Sequence, residues 1–251
     1  MKKLLAMVAV MLLTAATWLA DARVISSRTV GERSKTDTEW IIRTGVSIDG
    51  GVGSAKSEYN DLCTDGGDYG SGSFGMAAGY ELSFGFNRAF TRAGGLYWGM
   101  ELGLGTRGIK YKLDSEYDSG TQKLLTWNIK YSPFTFGYKF ALNQNIKLDA
   151  HLGAYLSYDF AGTGKANWKD SDGDSDSDSA GIGDDDNFPG FQRFDAGIQA
   201  GVGVWYKRFN FDITYQRGFV NAYNFEDDYD VNEIDGKIYS SNLMFRVGIA
   251  F

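Results

Sequence analysis

The chain has 251 residues, a formal net charge of −7 and a single cysteine, Cys63. An acidic balance without a basic stripe argues against nucleic-acid binding, and one cysteine excludes an internal disulfide. No segment beyond the N-terminal region approaches the roughly 18 continuous apolar residues of a transmembrane helix.

The long apolar run of the chain lies at its N-terminus. Two lysines precede the apolar stretch 4–19, and the small residues of Ala20-Asp21-Ala22 close it. This pattern is typical of a secretory signal peptide cleaved after Ala22, with an uncleaved membrane anchor as the alternative. The sequence therefore predicts a signal peptide at 1–22, a polar lead-in at 23–38 and one large domain at 39–251.

From residue 40 onward, apolar and polar residues alternate in eight segments, which predicts β-strands with one apolar and one polar face. Most reach the roughly 9–11 residues that a tilted strand needs to cross a bilayer. The segments are 40–48, 74–86, 96–104, 124–140, 146–160, 194–206, 209–219 and 241–251. Within 124–140 the alternation changes phase at Ser132-Pro133, which predicts a β-bulge.

The connections between these segments alternate in length. Short connections lie at 87–94, 141–145 and 207–208, and long polar ones lie at 54–72, 109–121, 161–190 and 222–236. Short turns at one end and long loops at the other are typical of membrane barrels. The predicted fold is all-β: an antiparallel, up-and-down transmembrane β-barrel of about eight strands.

The two faces of the strands differ in chemistry. One face is bulky and aromatic, with its aromatic residues near the strand ends, and the other is small or ionised. Burying many charges in a soluble core would be costly, so we expect the apolar face to contact lipid and the charges to line the lumen. Because eight strands leave room only for side chains, the lumen charges predict an ion-pair plug. They are Arg43, Glu81, Glu101, Lys139, Asp149, His151, Asp212 and Arg246.

His151 is the candidate catalytic residue, since Asp149, Ser157 and Asp159 share its predicted face. A Ser/His/acid set supports acyl transfer, which makes a lipid-modifying enzyme one alternative. We favour a hydrogen-bonded lumen histidine, because this residue is expected deep in the barrel. A narrow channel for ions or small solutes is the other alternative.

An acidic run at 169–187 is the candidate cation-binding segment. Oxygen clusters suit Ca²⁺, but Ser175 and Gly181 occupy the positions where an EF-hand that began at Asp170 would need Gly and Glu. We therefore predict a solvated loop, with weak Ca²⁺ binding as the alternative and no other cofactor. The aspartates of this candidate are Asp170, Asp172, Asp174, Asp176 and Asp178.

Two hairpins carry a family resemblance. The stretches TWNIKYSPFTFGYKFALNQNIKLDAHLGAYLSYDF and FDAGIQAGVGVWYKRFNFDITYQRGFVN resemble the PorT-like outer-membrane β-barrel family of Gram-negative bacteria. The match covers residues 120–251 and is weaker over 39–110. The terminal LMFRVGIAF, ending at Phe251, resembles the signal by which such barrels are recognised for insertion. The resemblance implies an outer-membrane location and specifies no activity.

Together these patterns predict an exported, monomeric, multi-pass outer-membrane protein with a structural or surface-interaction role and no enzymatic activity. The expected partners are outer-membrane lipid, lipopolysaccharide and, during insertion, the barrel-assembly machinery. Arg217, on the lipid-facing side of its strand, is interpreted either as a partner of lipopolysaccharide phosphate or as a side chain that snorkels to the interface.

Overall fold

A computed structural model describes residues 38–56, 71–90, 95–114, 118–170, 175–181, 191–222 and 236–251. The predicted signal peptide, and the lead-in apart from Thr38, lie outside the described residues, as does Cys63. Among the described residues, no helix is both long and apolar enough to span a membrane.

The described chain forms nine β-strands. In chain order they are β1 (Thr38–Val52), β2 (Ser71–Ala89), β3 (Leu96–Asp114), β4 (Asp118–Ala141), β5 (Ile146–Asp170), β6 (Ser175–Gly181), β7 (Phe194–Tyr206), β8 (Phe209–Asn221) and β9 (Tyr239–Ala250).

Eight of these strands close into an antiparallel ring, as predicted. Sequence neighbours pair in turn, β5 pairs with β7, and β9 returns to β1 through pairs such as Thr44 with Val247. The ninth strand, β6, pairs in the described structure only with the far end of β5. Closure satisfies the backbone groups of every strand in the ring, as a hydrocarbon environment requires.

The connections define two ends of the barrel. Residues 90–95, 142–145 and 207–208 join strands at the short-turn end, where Trp40 also pairs with the terminal Phe251. In the tight turn, Lys207 adopts a left-handed φ of 55°, a conformation common in two-residue hairpin turns. The opposite end, reached by the longer connections, is the long-loop end.

Two predicted loops were wrong in their bounds. The segment 109–121 is mostly strand, because β3 runs to Asp114 and β4 begins at Asp118. The segment 161–190 contains the last ten residues of β5 and all of β6. The outward positions of these extensions are not apolar because they rise past the apolar band, where no lipid would select for apolar residues, so the pattern of a lipid-facing strand could not reveal them.

The predicted bulge at Ser132-Pro133 is confirmed. The pairing of β4 with β5 shifts register between Tyr131 and Phe134, and the pairing of β3 with β4 shifts opposite the same point. Proline cannot donate to the ladder, and the extra residue of the bulge takes Pro133 out of regular pairing. The inward positions of β4 change from even to odd numbers across the bulge, so polar residues face the lumen on both sides of it.

The apolar face of the ring points outward and the polar face inward, as predicted. Outward aliphatic side chains are highly exposed, whereas inward charges such as Asp212 and Arg246 are buried. The outward aromatic residues also gather in two bands. At the short-turn end, Trp40 stacks on Phe84 with ring centroids 5.3 Å apart, and at the long-loop end Tyr80 meets Trp127 at 5.5 Å. Such bands mark the two interfaces of a bilayer.

Replacing Leu102 by arginine is expected to lower the free energy of unfolding in lipid vesicles by about 2–4 kcal/mol. Leu102 is 55% exposed, and it lies four residues from Trp98 and four from Thr106, which pairs with Trp127 in the opposite band. The substitution therefore places a charge near the bilayer midplane.

Leu142→Arg is the matched control, because Leu142 is 62% exposed but lies in a turn. Chemical denaturation of both variants should show a change within about 0.5 kcal/mol for Leu142→Arg. Equal losses for the two variants would mean that Leu102 does not face lipid.

Candidate functional site

The middle of the lumen holds a layer of buried ion pairs, which we call the central layer: Arg43, Glu81, Glu101, Lys130, Asp212 and Arg246. Arg246 reaches three carboxylates, with Nη1 2.8 Å from Glu101 and 3.4 Å from Glu81, and Nη2 2.7 Å from Asp212. These partners come from β2, β3 and β8, so one guanidinium on β9 ties four strands together across the lumen.

Two further cations complete the central layer. Arg43 pairs with Glu101, and its Nε donates to the Asn210 side chain at 3.0 Å. Lys130 Nζ donates to Glu81 at 2.5 Å. Lys130 was not among the predicted lumen charges. The alternation could have placed it there, because Lys130 lies between the outward residues Ile129 and Tyr131 on β4.

His151 borders the central layer without assembling a catalytic set. Its Nε2 lies 3.2 Å from Thr214 Oγ1, and that hydroxyl donates its proton to Asp212 at 2.7 Å. Nε2 must therefore donate to Thr214, so it cannot act as a base toward this hydroxyl. Nδ1 lies 3.8 Å from Asp149, beyond hydrogen-bond distance.

The other residues considered for catalysis do not reach His151. Asp159 pairs with Arg107 and accepts a hydrogen bond from Thr126 at 3.0 Å, and the Ser157 hydroxyl is buried without a hydrogen-bond partner among the described residues. Neither contacts His151 among the interactions of the described residues. Among the described residues, the contacts of His151 are with Thr214, Asp149 and Asp212 and do not include a serine hydroxyl.

At the short-turn end, Lys139 is separate from the central layer, unlike the single network that the sequence predicted. It pairs with Glu39, and its Nζ lies 3.9 Å from the centre of the Trp205 ring. Asp149 accepts hydrogen bonds of 2.9 Å from both Trp205 Nε1 and the Tyr97 hydroxyl. These five residues form a second layer, the aromatic layer, which closes this end of the lumen.

At the long-loop end, a third layer was missed by sequence reasoning. Arg107 pairs with Asp159 and, at 3.1 Å, with Asp195, and Asp195 also accepts from Ser240. The group joins β3, β5, β7 and β9. Arg107 has the same inward parity as Glu101 on β3, but it lies beyond residue 104, where the predicted strand ended, so its inward orientation was not recognised.

The space that remains between the side chains is small. A cavity lined by Glu81, Glu101, Lys130, Gln199 and Arg246, among others, has a volume of about 10 Å³, and its neighbour beside Arg43 and His151 is the same size. This is about the room of one water molecule.

Glycines let the large lumen side chains fit. A Cβ on Gly137 would lie 2.4 Å from the Tyr97 ring, and one on Gly201 would lie 2.5 Å from His151 Nε2. Real Cβ atoms do not tolerate such contacts, so glycine at these strand positions makes space for the layers. This explains the small residues that alternate with charges on the inward face.

The acidic run lies partly outside the described residues, as do Asp172 and Asp174. The backbone of residues 175–181 forms β6, so this part is a strand and not the predicted loop. Among the described residues, no group of three or more His, Cys, Asp or Glu side chains is arranged to hold a metal ion. Weak Ca²⁺ binding by this segment stays a prediction.

The family model for an outer membrane protein beta-barrel domain matches residues 31–224. The chain belongs to this family. It is therefore an integral, Gram-negative outer-membrane protein, and in barrels of this kind the short turns face the periplasm and the longer loops face outward.

Three solved outer-membrane proteins are similar to this outer-membrane barrel at low identity. Ail, the attachment invasion locus protein of Yersinia pestis, is 17% identical, with 86% of this chain and 99% of Ail covered and a TM-score of 0.35. OprG from Pseudomonas aeruginosa is 14% identical, with coverages of 87% and 98% and a TM-score of 0.39. Neisserial surface protein A is 14% identical, with coverages of 86% and 99% and a TM-score of 0.36. No curated protein matches the chain.

Proposed function

We propose that this protein is a monomeric, non-enzymatic outer-membrane barrel whose lumen does not conduct and whose outer surface contacts other molecules. The closed central layer carries the proposal. Its guanidinium and ammonium groups meet carboxylates from opposite sides of the ring, and the two cavities of about 10 Å³ at this layer do not provide a path for a hydrated ion. A lumen built this way supports the barrel rather than transport.

The contact surface follows from strand length. β4 and β5 have 24 and 25 residues, whereas a crossing needs roughly 9–11. Their far ends, with 108–114 of β3 and with β6, therefore stand beyond the outer interface, and we call this part the projecting sheet. A rigid sheet that rises from the membrane presents residues to the outside more firmly than a loop does.

Absence of enzymatic activity is part of the proposal. It is supported by the donor role of His151 Nε2 and by the burial of this residue in the lumen, away from lipid substrates. The resemblance of residues 120–251 to the PorT-like family and insertion of the chain through Phe251 by the barrel-assembly machinery belong to the same proposal.

Planar-bilayer recording of the refolded protein tests the closed lumen. We expect no current steps at voltages and protein amounts at which a larger porin in the same bilayer conducts. Reproducible steps from the wild-type protein would contradict the proposal and favour the narrow-channel alternative.

Surface labelling tests the projecting sheet. In a Cys63→Ser background, Lys169→Cys in β5 should react on intact cells with a membrane-impermeant maleimide, whereas Asn143→Cys in a short turn should react only after lysis. Lys169 and Asn143 are both exposed, so the two introduced thiols should be equally accessible in the folded protein. Labelling of Asn143→Cys alone on intact cells would reverse the assigned orientation.

A further inference from the structure

Three lysines form a row across the outward face of the projecting sheet. Lys110 of β3 pairs with Lys123 of β4, and Lys123 pairs with Lys165 of β5. Lys123 shares its strand face with Trp127, four residues below it in the outer aromatic band. Directly paired residues on neighbouring strands point to the same side, so all three lysines face outward. We call these residues the lysine row.

The lysine row has no internal counter-charge in the part of the chain that the structure describes. None of its members forms an ion pair with a described side chain, and Lys112 and Lys169 add two exposed positive charges further out.

The register of β6 keeps its acidic positions out of line with the row. Lys165 pairs with Ser179 and Lys169 with Ser175, whereas Asp178 occupies the alternate position opposite Ala166. Like charges placed directly opposite each other destabilise a sheet. A bound anion would remove that penalty.

The height of the lysine row above the membrane indicates which anionic group would lie beside it. Four residues separate Lys123 from Trp127, which is about 13 Å along the strand and about 10 Å above the aromatic band at a tilt of about 40°. The polar layer of a bilayer extends about 5–8 Å beyond the hydrocarbon. Lysine stems can lower their ammonium groups into that layer.

We propose that the lysine row binds the phosphate groups of lipid A, the anchor of lipopolysaccharide in the outer leaflet. Ammonium groups serve as point-charge partners of phosphate oxygens. Three of them from adjacent strands lie side by side, so they can contact the phosphates of one headgroup together. The proposal rests on the orientation of the proposed function but not on the closed lumen. A conducting barrel would therefore overturn the proposed function and leave this site standing.

Binding of lipid A to the folded full chain in detergent micelles tests the site. The probes are phosphorylated lipid A, the same lipid A after enzymatic dephosphorylation, and inorganic phosphate. The test variant is Lys123→Gln/Lys165→Gln, and the matched control is Lys147→Gln/Lys207→Gln, which removes the same charge at the periplasmic end. Lys123→Arg/Lys165→Arg preserves charge at the row.

We expect the test variant to bind phosphorylated lipid A about 20-fold more weakly, since each lysine near an anionic surface contributes about fivefold at low salt. Binding of dephosphorylated lipid A should change little, and the control and arginine variants should bind phosphorylated lipid A like the wild type. Equal losses in the test and control variants would overturn the proposal. Full competition by millimolar inorganic phosphate would also overturn it, because the site would then recognise the free ion.

Discussion

Replacing Arg246 with glutamate is expected to lower the free energy of unfolding by at least about 3–5 kcal/mol, because removing one partner leaves buried charges uncompensated. Arg246 is the shared partner of Glu81, Glu101 and Asp212. The substitution removes the cation that these three carboxylates share and adds a fourth carboxylate beside them. Urea unfolding in detergent or lipid vesicles, followed by tryptophan fluorescence, measures the loss.

Two further variants serve as controls for Arg246→Glu. Lys207→Glu reverses a charge in an exposed turn and should change stability by about 0.5 kcal/mol or less. Arg246→Lys keeps the charge but loses the forked geometry, so it should fall between the two. Arg246→Glu should not conduct, because Arg107 and Trp205 close the lumen above and below. An unchanged unfolding midpoint together with a new current would contradict the assigned role of the central layer.

Replacing Trp205 with alanine is expected to cost about 3–5 kcal/mol, the range for truncating a large buried aromatic residue. Trp205 is 3% exposed, donates to Asp149 at 2.9 Å and lies against the Lys139 ammonium. The variant therefore loses apolar burial, the cover over a cation and a hydrogen bond to a carboxylate.

Trp98→Ala provides the comparison, because Trp98 lies at the same end of the barrel but outside the ring, edge-on to Phe86 at 5.2 Å. Its loss removes one interfacial ring and opens no internal cavity, so the cost should be clearly smaller in the same unfolding assay. A larger loss for Trp98→Ala than for Trp205→Ala would show that the aromatic layer does not stabilise the barrel from within.

The ring and its orientation were predictable because lipid imposes a strict rule on the sequence. Almost every outward position across the hydrocarbon is apolar, so residues such as Val46, Leu102 and Val202 repeat with a period of two. Most inward positions are polar or small, although a few buried apolar residues, among them Trp205, also fill the lumen. The bulge at Pro133 could also be recognised in the sequence, because the apolar alternation changes phase at that residue.

The partners within the lumen were less predictable. Alternation predicts that Lys139 and Arg246 face inward. It does not give the height of each side chain along the barrel axis, because that height depends on register and strand tilt. Lys139 therefore falls in the aromatic layer, several residues away from the carboxylates that Arg246 meets. Arg107 continues the inward parity of β3, but it was missed because the predicted strand ended at residue 104. The lysine row also depends on register, since Lys110, Lys123 and Lys165 are far apart in the chain.

Quenching of tryptophan fluorescence by bromine-labelled acyl chains tests the central claim, that aromatic rings face lipid while the ionised groups are sealed inside. Two single-tryptophan proteins, one with Trp98 and one with Trp205, compare residues at the same end of the barrel on opposite faces, since Trp205 is 3% exposed. We expect strong quenching of Trp98 and little quenching of Trp205 in the same vesicles. Strong quenching of Trp205 together with little quenching of Trp98 would mean that the polar face of the strands contacts lipid. That result would contradict the orientation of the two faces described here.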